Sequence, residues 1–182
     1  KVKKEITGKV VMVTGGAGSI GSELVRQLLS YDPQKVIVVD NAETHVFELK
    51  QELLKRGEKI EGMLQFIIGD VTDRKSMNRI FLKYRPSLIY HAAAYKHVPL
   101  MEEQPEEALR VNVFGTKVVA DLAVRYEAER FVMISTDKAV RPTNVMGASK
   151  RFAEMYCQSL WHDGHCPTNF VTTRFGNVLG SN

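Results

Sequence analysis

The chain has 182 residues, which is long enough for one domain with a substantial hydrophobic core. Its residues are 44% hydrophobic and 25% charged, a composition that is typical of globular proteins and excludes a largely disordered chain. The net charge of +4 is weak support for a nucleic-acid surface, because acidic and basic residues alternate along the predicted helices. We therefore expect no nucleic-acid partner.

No apolar run reaches the roughly 18 residues that a membrane-spanning helix needs. The first residues, KVKKEITGK, also lack the apolar stretch of a signal peptide. Cys157 and Cys166 are too few and wrongly spaced for a structural zinc site or a set of disulfides, so we expect reduced thiols at the cytoplasmic face. Lys1, Lys3 and Lys4 predict a solvated end or a linker. They would also suit a membrane surface if an anchoring segment precedes them in the natural protein.

Short β-branched apolar runs alternate with amphipathic segments along the chain. The predicted strands are 10–14, 36–40, 66–68, 88–91, 131–135 and 170–174, and the predicted helices are 19–30, 46–55, 75–84, 105–126 and 144–163. Continuously apolar strands are typical of parallel strands that are covered on both faces. The sequence therefore predicts one α/β domain over residues 1–182, a doubly wound parallel sheet (Rossmann). The ending after the sixth strand predicts a fragment that lacks most of the C-terminal substrate-binding region.

The first predicted strand is followed by a glycine-rich turn, TGGAGSIGS, and then by a helix. Glycines here allow the backbone to approach a pyrophosphate closely, and the N–H groups and dipole of the helix attract the phosphates. The strand, the helix and an acidic residue at the end of the next strand supply the context that a lone glycine motif lacks. The sequence therefore predicts a dinucleotide site. Its residues in this turn are Gly15, Gly18, Ser19, Ile20 and Gly21.

The acidic residue is Asp40, which lies 19 residues after Gly21. Its carboxylate is placed to accept hydrogen bonds from the adenosine ribose hydroxyls. The same charge would repel a 2′-phosphate, by about 1 kcal/mol per charge pair in water and about 4 kcal/mol with partial shielding. No arginine follows in the segment NAETH to receive such a phosphate. We therefore expect NAD rather than NADP.

The ends of the third and fourth predicted strands carry further cofactor candidates. Asp70 and Val71, in the segment IIGDVTD, are placed to border the adenine. Asp70 would serve equally well as a turn residue or a helix N-cap, and the two roles are compatible. Ala92, Ala93 and Ala94 are small enough to let a cofactor pass close over the strand end.

Several polar residues near that strand end have alternative interpretations. Lys96 is a candidate for binding an anionic substrate, and a solvated surface lysine is the alternative. His91 and His97 show no third ligand, so the sequence predicts no metal site. Asn112 lies on an apolar helical segment and is expected to hold a neighbouring strand end or a water.

The fifth predicted strand ends in a hydroxyl, a carboxylate and an amine. Thr136, Asp137 and Lys138 reach the carboxyl edge of the sheet, where ligands bind in open α/β folds. A capping and salt-bridging pair at a strand end is the alternative for Asp137 and Lys138. Lys150 follows on the next helix, where its ammonium would reach the nicotinamide ribose and lower the pKa of nearby acids. Four residues earlier stands Met146, whose thioether can neither take nor give a proton.

Together these segments resemble the extended short-chain dehydrogenase/reductase family, and more narrowly its nucleotide-sugar 4,6-dehydratase branch of polysaccharide biosynthesis. The segments are TGGAGSIG, the acid after the second strand, GDVTD, AAAYKHVP, STDKAVRPTNVMGASK and TRFGNVLGS, which together span nearly the whole chain. The wider family carries Tyr-x-x-x-Lys where this chain has Met146 and Lys150. The same methionine is familiar in the larger, membrane-anchored members of the dehydratase branch, so the departure favours that branch.

The resemblance implies a lyase that acts on UDP-N-acetylglucosamine in capsule or other polysaccharide synthesis. Bound NAD would take hydride from sugar C4, water would be lost across C5–C6, and the hydride would return to C6. By resemblance, Asp137 is the acid for the C6 hydroxyl, Lys138 is the C5 base and Thr136 holds the 4-hydroxyl. Lys150 would fix the nicotinamide ribose, and Asn177 would contact the nucleotide-sugar. The base for the 4-hydroxyl stays open between Asp137 acting through a water and Lys138.

Two other functions fit parts of the sequence. A nucleotide-sugar 4-epimerase or dehydrogenase of this fold would need a tyrosine at Met146, which counts against it. A non-catalytic NAD-binding module agrees with the methionine but not with the retained polar residues of the fifth strand end. The apolar faces of helices 105–126 and 144–163 favour a homo-oligomer, as in relatives, although packing against the sheet gives similar patterns.

Overall fold

The computed structural model describes residues 2–55, 62–162, 164–176 and 178. Within these ranges six parallel strands form one sheet in the order β3-β2-β1-β4-β5-β6. The strands are β1 (Val10–Thr14), β2 (Lys35–Asp40), β3 (Leu64–Ile68), β4 (Leu88–His91), β5 (Arg130–Thr136) and β6 (Asn169–Phe175). The predicted doubly wound architecture is confirmed, and every strand lies within two residues of its predicted bounds.

The helices pack on both faces of this sheet. They are α1 (Val2–Ile6), α2 (Ser19–Leu29), α3 (Glu43–Lys55), α4 (Arg74–Tyr84), α5 (Val98–Glu103), α6 (Pro105–Ala108), α7 (Thr116–Arg125) and α8 (Val145–His162). A π-helical segment (Leu109–Gly115) joins α6 to α7, and a 3₁₀ turn (Asp137–Ala139) follows β5. Among the helices of the described ranges, none is long and apolar enough to cross a membrane.

Alternate residues of the central strands supply two separate core layers. On one face, Val11 and Val13 of β1 pack with residues of α2 and α3. On the other face, Met12 of β1 packs with residues of α4, α7 and α8. This explains why β1, β2 and β4 read as continuously apolar runs, since both faces of these central strands are buried.

The single helix predicted over 105–126 is wrong in detail, because the structure divides it into α6, the π-helical segment and α7. Asn112 is fully buried in the middle of the π-helical segment and binds the backbone of Tyr95. Close by, a Cβ atom on Gly115 would lie 2.8 Å from Val71 Cγ2, so the segment runs tightly against the turn after β3. The π-helical segment thus lies where the chain makes close tertiary contacts, and local helix propensity contains no information about such contacts.

The N-terminal lysines were predicted to form a solvated end or a linker. Lys3 and Lys4 are exposed, but they lie on a short helix, α1, rather than on an irregular segment. Its last residue, Ile6, is 2% exposed and belongs to the core layer of α2 and α3. Residues 2–9 are therefore part of the fold, and Lys1 lies outside the described residues.

Candidate active site

The carboxyl ends of five neighbouring strands bring most of the predicted site residues to one edge of the sheet. The glycine turn follows β1, Asp40 ends β2, Asp70 follows β3, three alanines follow β4 and Thr136 ends β5. The strand order reverses between β1 and β4, and ligands of doubly wound sheets bind at such a switch point.

The glycine turn leaves space where a phosphate group would lie. Gly15 has a φ of +65°, and a Cβ there would lie 2.5 Å from Ala93 N. A Cβ on Gly21 would lie 2.0 Å from Gly15 O, so both positions require glycine for close backbone packing. A Cβ on Gly18, the N-cap of α2, would meet no atom nearer than 3.4 Å. Gly18 and Ser19 are exposed, and this open helix N-terminus fits a dinucleotide pyrophosphate.

Asp40 connects the glycine turn to the end of β2. Its Oδ2 accepts a 3.0 Å hydrogen bond from the Ala17 N–H, and its Oδ1 accepts one of 3.0 Å from the Ala42 N–H. Each carboxylate oxygen has a second lone pair, so the same group can also accept from a ribose hydroxyl. Asp40 thus shapes the turn, and its contact with the ribose stays a prediction.

Asp70 forms the turn after β3. Its Oδ1 accepts hydrogen bonds of 2.8 Å from both the N–H and the hydroxyl of Thr72, and its Oδ2 lies 3.3 Å from Arg110 Nη1. Burial alone would raise the pKa of Asp70, but these donors hold it below its usual value. The helix N-cap of α4 is Asp73 instead. The turn role of Asp70 is therefore observed, and its contact with adenine stays a prediction.

A chain of buried hydrogen bonds connects β1, β4 and the helix α7. His91 is fully buried, with Nδ1 2.7 Å from Thr14 Oγ1 and Nε2 2.9 Å from Thr116 Oγ1. The Thr116 hydroxyl donates to the Asn112 carbonyl, so it must accept from His91 Nε2–H, while Nδ1 accepts from Thr14. Burial, with the charge of Lys150, lowers the pKa of His91 to about 3. Both ring nitrogens are occupied, so the imidazole holds the fold and not a metal.

Asn112 holds the chain beyond β4 against α8. Its Oδ1 accepts from the Tyr95 N–H at 2.8 Å, and its Nδ2 donates to the Tyr95 carbonyl at 3.0 Å and to Ser149 Oγ at 2.9 Å. The Ser149 hydroxyl in turn donates to the Met146 carbonyl at 2.7 Å. Asn112 therefore has a structural role, but it holds the segment that follows β4 and not the strand end itself.

Thr136, Asp137 and Lys138 lie together at the end of β5. The Thr136 hydroxyl donates to Asp137 Oδ1 at 3.0 Å, and Lys138 Nζ lies 3.7 Å from the same oxygen. The Asp137 and Lys138 side chains are 60% and 41% exposed, so both reach the surface at the cofactor edge. Thr136 Oγ1 also accepts from the Lys138 N–H at 3.3 Å. The salt bridge of Asp137 with Lys138 is present, whereas the side chain that caps the 3₁₀ turn is that of Thr136, and both functional groups stay accessible.

Helix α8 places Lys150 and Met146 in different surroundings. Lys150 is 4% exposed, its Nζ donates to the Ile134 carbonyl at 2.7 Å, and burial lowers its pKa to about 8 against the opposing charge of Glu154. Met146 is 4% exposed and packs with Met101 and Ala108 in a small apolar cluster. The thioether therefore fills a core position, where it contributes packing.

Two predicted substrate-binding residues, Lys96 and Asn177, remain to be located. Lys96 is exposed on a cleft of about 210 Å³ that Tyr95 and Leu100 also line. Asn177 lies outside the described residues. Within the described part of the chain, no three or more His, Cys, Asp or Glu side chains are arranged to hold a metal ion.

Sequence reasoning missed an ion pair behind the edge that joins a buried carboxylate to a partly exposed arginine. Glu154 on α8 is fully buried and pairs with Arg174 on β6 at 2.6 Å. The available signal was a carboxylate on the apolar face of a helix together with an arginine in an apolar strand, since buried charges are rare unless paired.

The fold and the cofactor edge define a dinucleotide-binding protein of the extended short-chain dehydrogenase/reductase class. Residues 11–182 match the family of polysaccharide biosynthesis proteins, and the chain belongs to that family.

Two relatives illustrate the range of similarity. The chain is 50% identical over 181 residues to the capsular polysaccharide biosynthesis protein CapD of Staphylococcus aureus, covering 99% of this chain and 30% of that protein. It is 33% identical over 177 residues to a UDP-N-acetylglucosamine 4,6-dehydratase (inverting) of Campylobacter jejuni, covering 96% of this chain and 50% of that protein. The chain thus spans between 30% and 50% of the length of these relatives.

Solved structures share the fold over most of this chain. Pen from Bacillus thuringiensis superposes with a TM-score of 0.87 at 32% identity, covering 97% of this chain and 52% of that chain. The UDP-glucose 4-epimerase of Thermus thermophilus, in complex with NAD, has a TM-score of 0.74 at 28% identity, covering 91% of this chain and 54% of that chain.

Proposed function

We propose that this protein is the NAD-binding and catalytic part of a UDP-N-acetylglucosamine 4,6-dehydratase of polysaccharide biosynthesis. The observation that carries the proposal is the accessible group of Thr136, Asp137 and Lys138 at the cofactor edge, combined with the burial of Met146. Similarity to the Campylobacter jejuni dehydratase and to CapD supports the assignment.

A nicotinamide cofactor fits the residues of the edge, and the solved epimerase that contains NAD supports this choice. Bound NAD supplies a hydride acceptor for sugar C4 and a hydride donor for C6, so the overall reaction consumes no cofactor. The N-terminus of α2 at Gly18 would hold the pyrophosphate, Asp40 the adenosine ribose and Lys150 the nicotinamide ribose.

The charges beside Asp40 favour NAD over NADP. A cleft of about 350 Å³ adjoins the glycine turn between α2 and α3, and it is lined by Glu48, Glu52 and Arg26 among others. The Arg26 guanidinium binds both Glu52 oxygens, at 3.0 and 2.7 Å, and is therefore already neutralised. A 2′-phosphate near Asp40 would meet net negative charge and be repelled.

Asp137 and Lys138 can supply the acid and the base of the dehydration as a pair. Moving one proton from the Lys138 ammonium to the Asp137 carboxylate gives a neutral acid and a neutral amine 3.7 Å apart. Lys138 then takes the C5 proton, and Asp137 gives its proton to the C6 hydroxyl, which leaves as water. C5 regains a proton when the hydride returns to C6, and this balances the proton that Lys138 took. The proton released from the 4-hydroxyl balances the proton that Asp137 gives up. Thr136 would hold the 4-hydroxyl.

A nucleotide-sugar 4-epimerase is the second candidate, because a solved epimerase shares the fold at 28% identity. The buried Met146 disfavours it, since no tyrosine occupies that position to take the 4-hydroxyl proton. Homo-oligomerisation, the cytoplasmic face and an anchoring segment upstream stay predictions, as does Lys96 as a contact for the substrate.

Mass spectrometry tests the proposal on the full-length enzyme incubated with UDP-N-acetylglucosamine. We expect a product lighter by one water. A product of unchanged mass with inverted C4 would instead identify an epimerase. The absence of any change in a panel of nucleotide-sugars, with NAD shown to be bound, would identify a binding module and contradict the proposal.

The choice of cofactor is tested separately by calorimetric titration of the protein with NAD and with NADP. We expect NAD to bind more tightly because of the negative charge around Asp40. Tighter binding of NADP would contradict this part of the proposal.

A further inference from the structure

Glu154 is a buried carboxylate with an unusually complete set of donors. It lies on α8, one turn beyond Lys150, and is fully buried. Its Oε1 accepts from Ser135 Oγ at 2.7 Å and from Arg174 Nε at 3.0 Å. Its Oε2 accepts from Arg174 Nη2 at 2.6 Å and from Arg151 Nη1 at 3.1 Å. A buried charge that has all these partners is stable, but removing one side leaves costly unpaired groups.

The contacts of Glu154 reach two neighbouring strands at the same level. Ser135 of β5 and Arg174 of β6 are directly paired in the sheet register. A single carboxylate on α8 therefore bridges both strands immediately before they end. Ser135 directly precedes Thr136, and a Cβ on Gly176 of the following segment would lie 3.7 Å from Asp137 Oδ2.

The same helix supports the end of β5 at two other points. Lys150 Nζ donates to the Ile134 carbonyl at 2.7 Å. A Cβ on Gly147 would lie 2.5 Å from the Lys138 carbonyl, so the helix backbone runs directly against the 3₁₀ turn. Of these supports, Glu154 is the one that fixes a side chain of β5 next to Thr136 and the exposed Asp137 and Lys138.

We propose that Glu154 is a positioning residue that, through Ser135 and Arg174, sets the place of the Asp137–Lys138 pair at the cofactor edge. The proposal rests on the function proposed above for that pair. An acid and a base act on neighbouring sugar carbons only within narrow geometric limits, and displacement by about 1 Å can cost about 100-fold in rate. Glu154 would therefore affect the chemical step without contacting substrate or cofactor.

The variant Glu154→Gln in the full-length enzyme tests the proposal. The amide keeps the size of the side chain but loses the charge and two acceptor positions. We expect kcat for dehydration to fall by about 10-fold to 100-fold, while KM and the dissociation constant for NAD change by less than about threefold. Leu122→Ala in α7, a buried site remote from the edge, is the matched control, since it lowers thermal stability but should leave kcat unchanged at a temperature where both variants are folded.

Amide hydrogen exchange gives a readout that does not depend on the reaction. The Lys138 N–H donates to Thr136 Oγ1 and the Val140 N–H to the Asp137 carbonyl. In Glu154→Gln we expect these two amides to exchange at least about 10-fold faster, with no change at the glycine turn. Faster exchange supports the positioning role even if the enzyme proves to catalyse another reaction. The positioning role of Glu154 and the proposed dehydratase function can therefore fail separately.

Ser135→Ala keeps the test decisive if Glu154→Gln fails to fold, because it removes only the hydroxyl that joins β5 to Glu154. We expect kcat to fall by about fivefold or more. Unchanged exchange at Lys138 and Val140, or an unchanged kcat in a folded variant, would overturn the proposal.

Discussion

Met146 illustrates how one side chain can change the interpretation of a site. In a reductase of this class the position calls for a proton-transferring phenol, whereas here the thioether is 4% exposed and packs with Met101 and Ala108. A methionine that fills a core position need not take part in chemistry. In the proposed reaction the proton transfers then belong to other groups, and Asp137 and Lys138 are accessible groups at this edge.

Substitution at Met146 should therefore have a small effect on activity, and substitution at Lys138 a large one. Met146→Leu conserves volume in an apolar cluster, so it should cost less than about 1.5 kcal/mol in stability and retain much of the dehydratase activity. Lys138→Ala removes the proposed C5 base and should lower kcat by about 100-fold or more. Steady-state kinetics on the full-length enzyme measures both. Comparable losses in the two variants would contradict the assignment of roles.

His91 makes a separate prediction about acid stability. Its pKa is lowered from 6.5 to about 3 by burial and by the charge of Lys150, so the folded state keeps the ring neutral. Below pH 6.5 the unfolded chain binds a proton that the folded protein does not. The contribution to stability is therefore complete above pH 6.5 and is lost as the pH falls toward 3, by up to roughly 4 kcal/mol.

Urea unfolding of the wild type and of His91→Gln at a series of pH values measures this contribution. Carboxylates whose pKa is lowered, such as Asp70 and Glu154, also contribute less to stability at acid pH. This loss is the same in the wild type and in His91→Gln, so the difference between the two curves isolates His91. His45→Gln on the exposed start of α3 is the control and should follow the wild type. Parallel curves for the wild type and His91→Gln would show that the buried ring is not the source.

The motif residues were predictable because their chemistry is local. Gly15, Asp40 and the segment from Thr136 to Lys138 each stand at a strand end that the apolar pattern already marks. The pairing of Glu154 with Arg174 was not predictable in the same way, because it depends on the register of β5 with β6 and on the rotation of α8. The threonine partners of His91 likewise come from distant elements.

Within the glycine turn, Gly18 and Gly21 have different physical tasks. Gly18→Ala meets no atom closer than 3.4 Å, and its φ of −73° is ordinary for alanine, so the fold should be preserved. The added methyl would, however, occupy space proposed for the pyrophosphate. We expect an unchanged melting temperature and an affinity for NAD that is weaker by about 10-fold or more.

Gly21→Ala provides the comparison, because its Cβ would lie 2.0 Å from Gly15 O and must displace the turn. This variant should lose thermal stability as well as NAD binding. Calorimetry and thermal unfolding of the two variants separate these effects. An unaltered affinity in Gly18→Ala would place the phosphate elsewhere.

The helices show where sequence patterns stop being informative. Periodicity located α2, α4 and α8 to within about two residues, because each has one apolar face against the sheet. The same periodicity passes smoothly through residues 105–126 and cannot detect the π-helical segment. In that segment Asn112 contacts Tyr95 and Gly115 closely approaches Val71, which are tertiary features.

At the scale of the whole molecule, the proposed cofactor site and the ion pairs that hold the N-terminal segment lie at opposite edges of the sheet. The carboxyl edge collects the proposed cofactor and catalytic residues. At the amino edge, α1 and the strand starts are joined by ion pairs of Glu5 with Arg130 and of Lys9 with Glu129. A five-residue strand separates the two edges by about 16 Å, so charges at one edge are strongly screened from the other.

Glu5→Gln should therefore lower stability without affecting the cofactor. The pair with Arg130 is partly exposed, with side chains 42% and 38% accessible, so its loss should cost about 0.5–1 kcal/mol, or about 1–4 °C in melting temperature. This cost should shrink in high salt, and the dissociation constant for NAD should change by less than about twofold. Lys4→Gln, an exposed position on the same helix, is the control and should match the wild type in both measurements. A change in NAD affinity of more than about threefold in Glu5→Gln would mean that the two edges are coupled through the sheet.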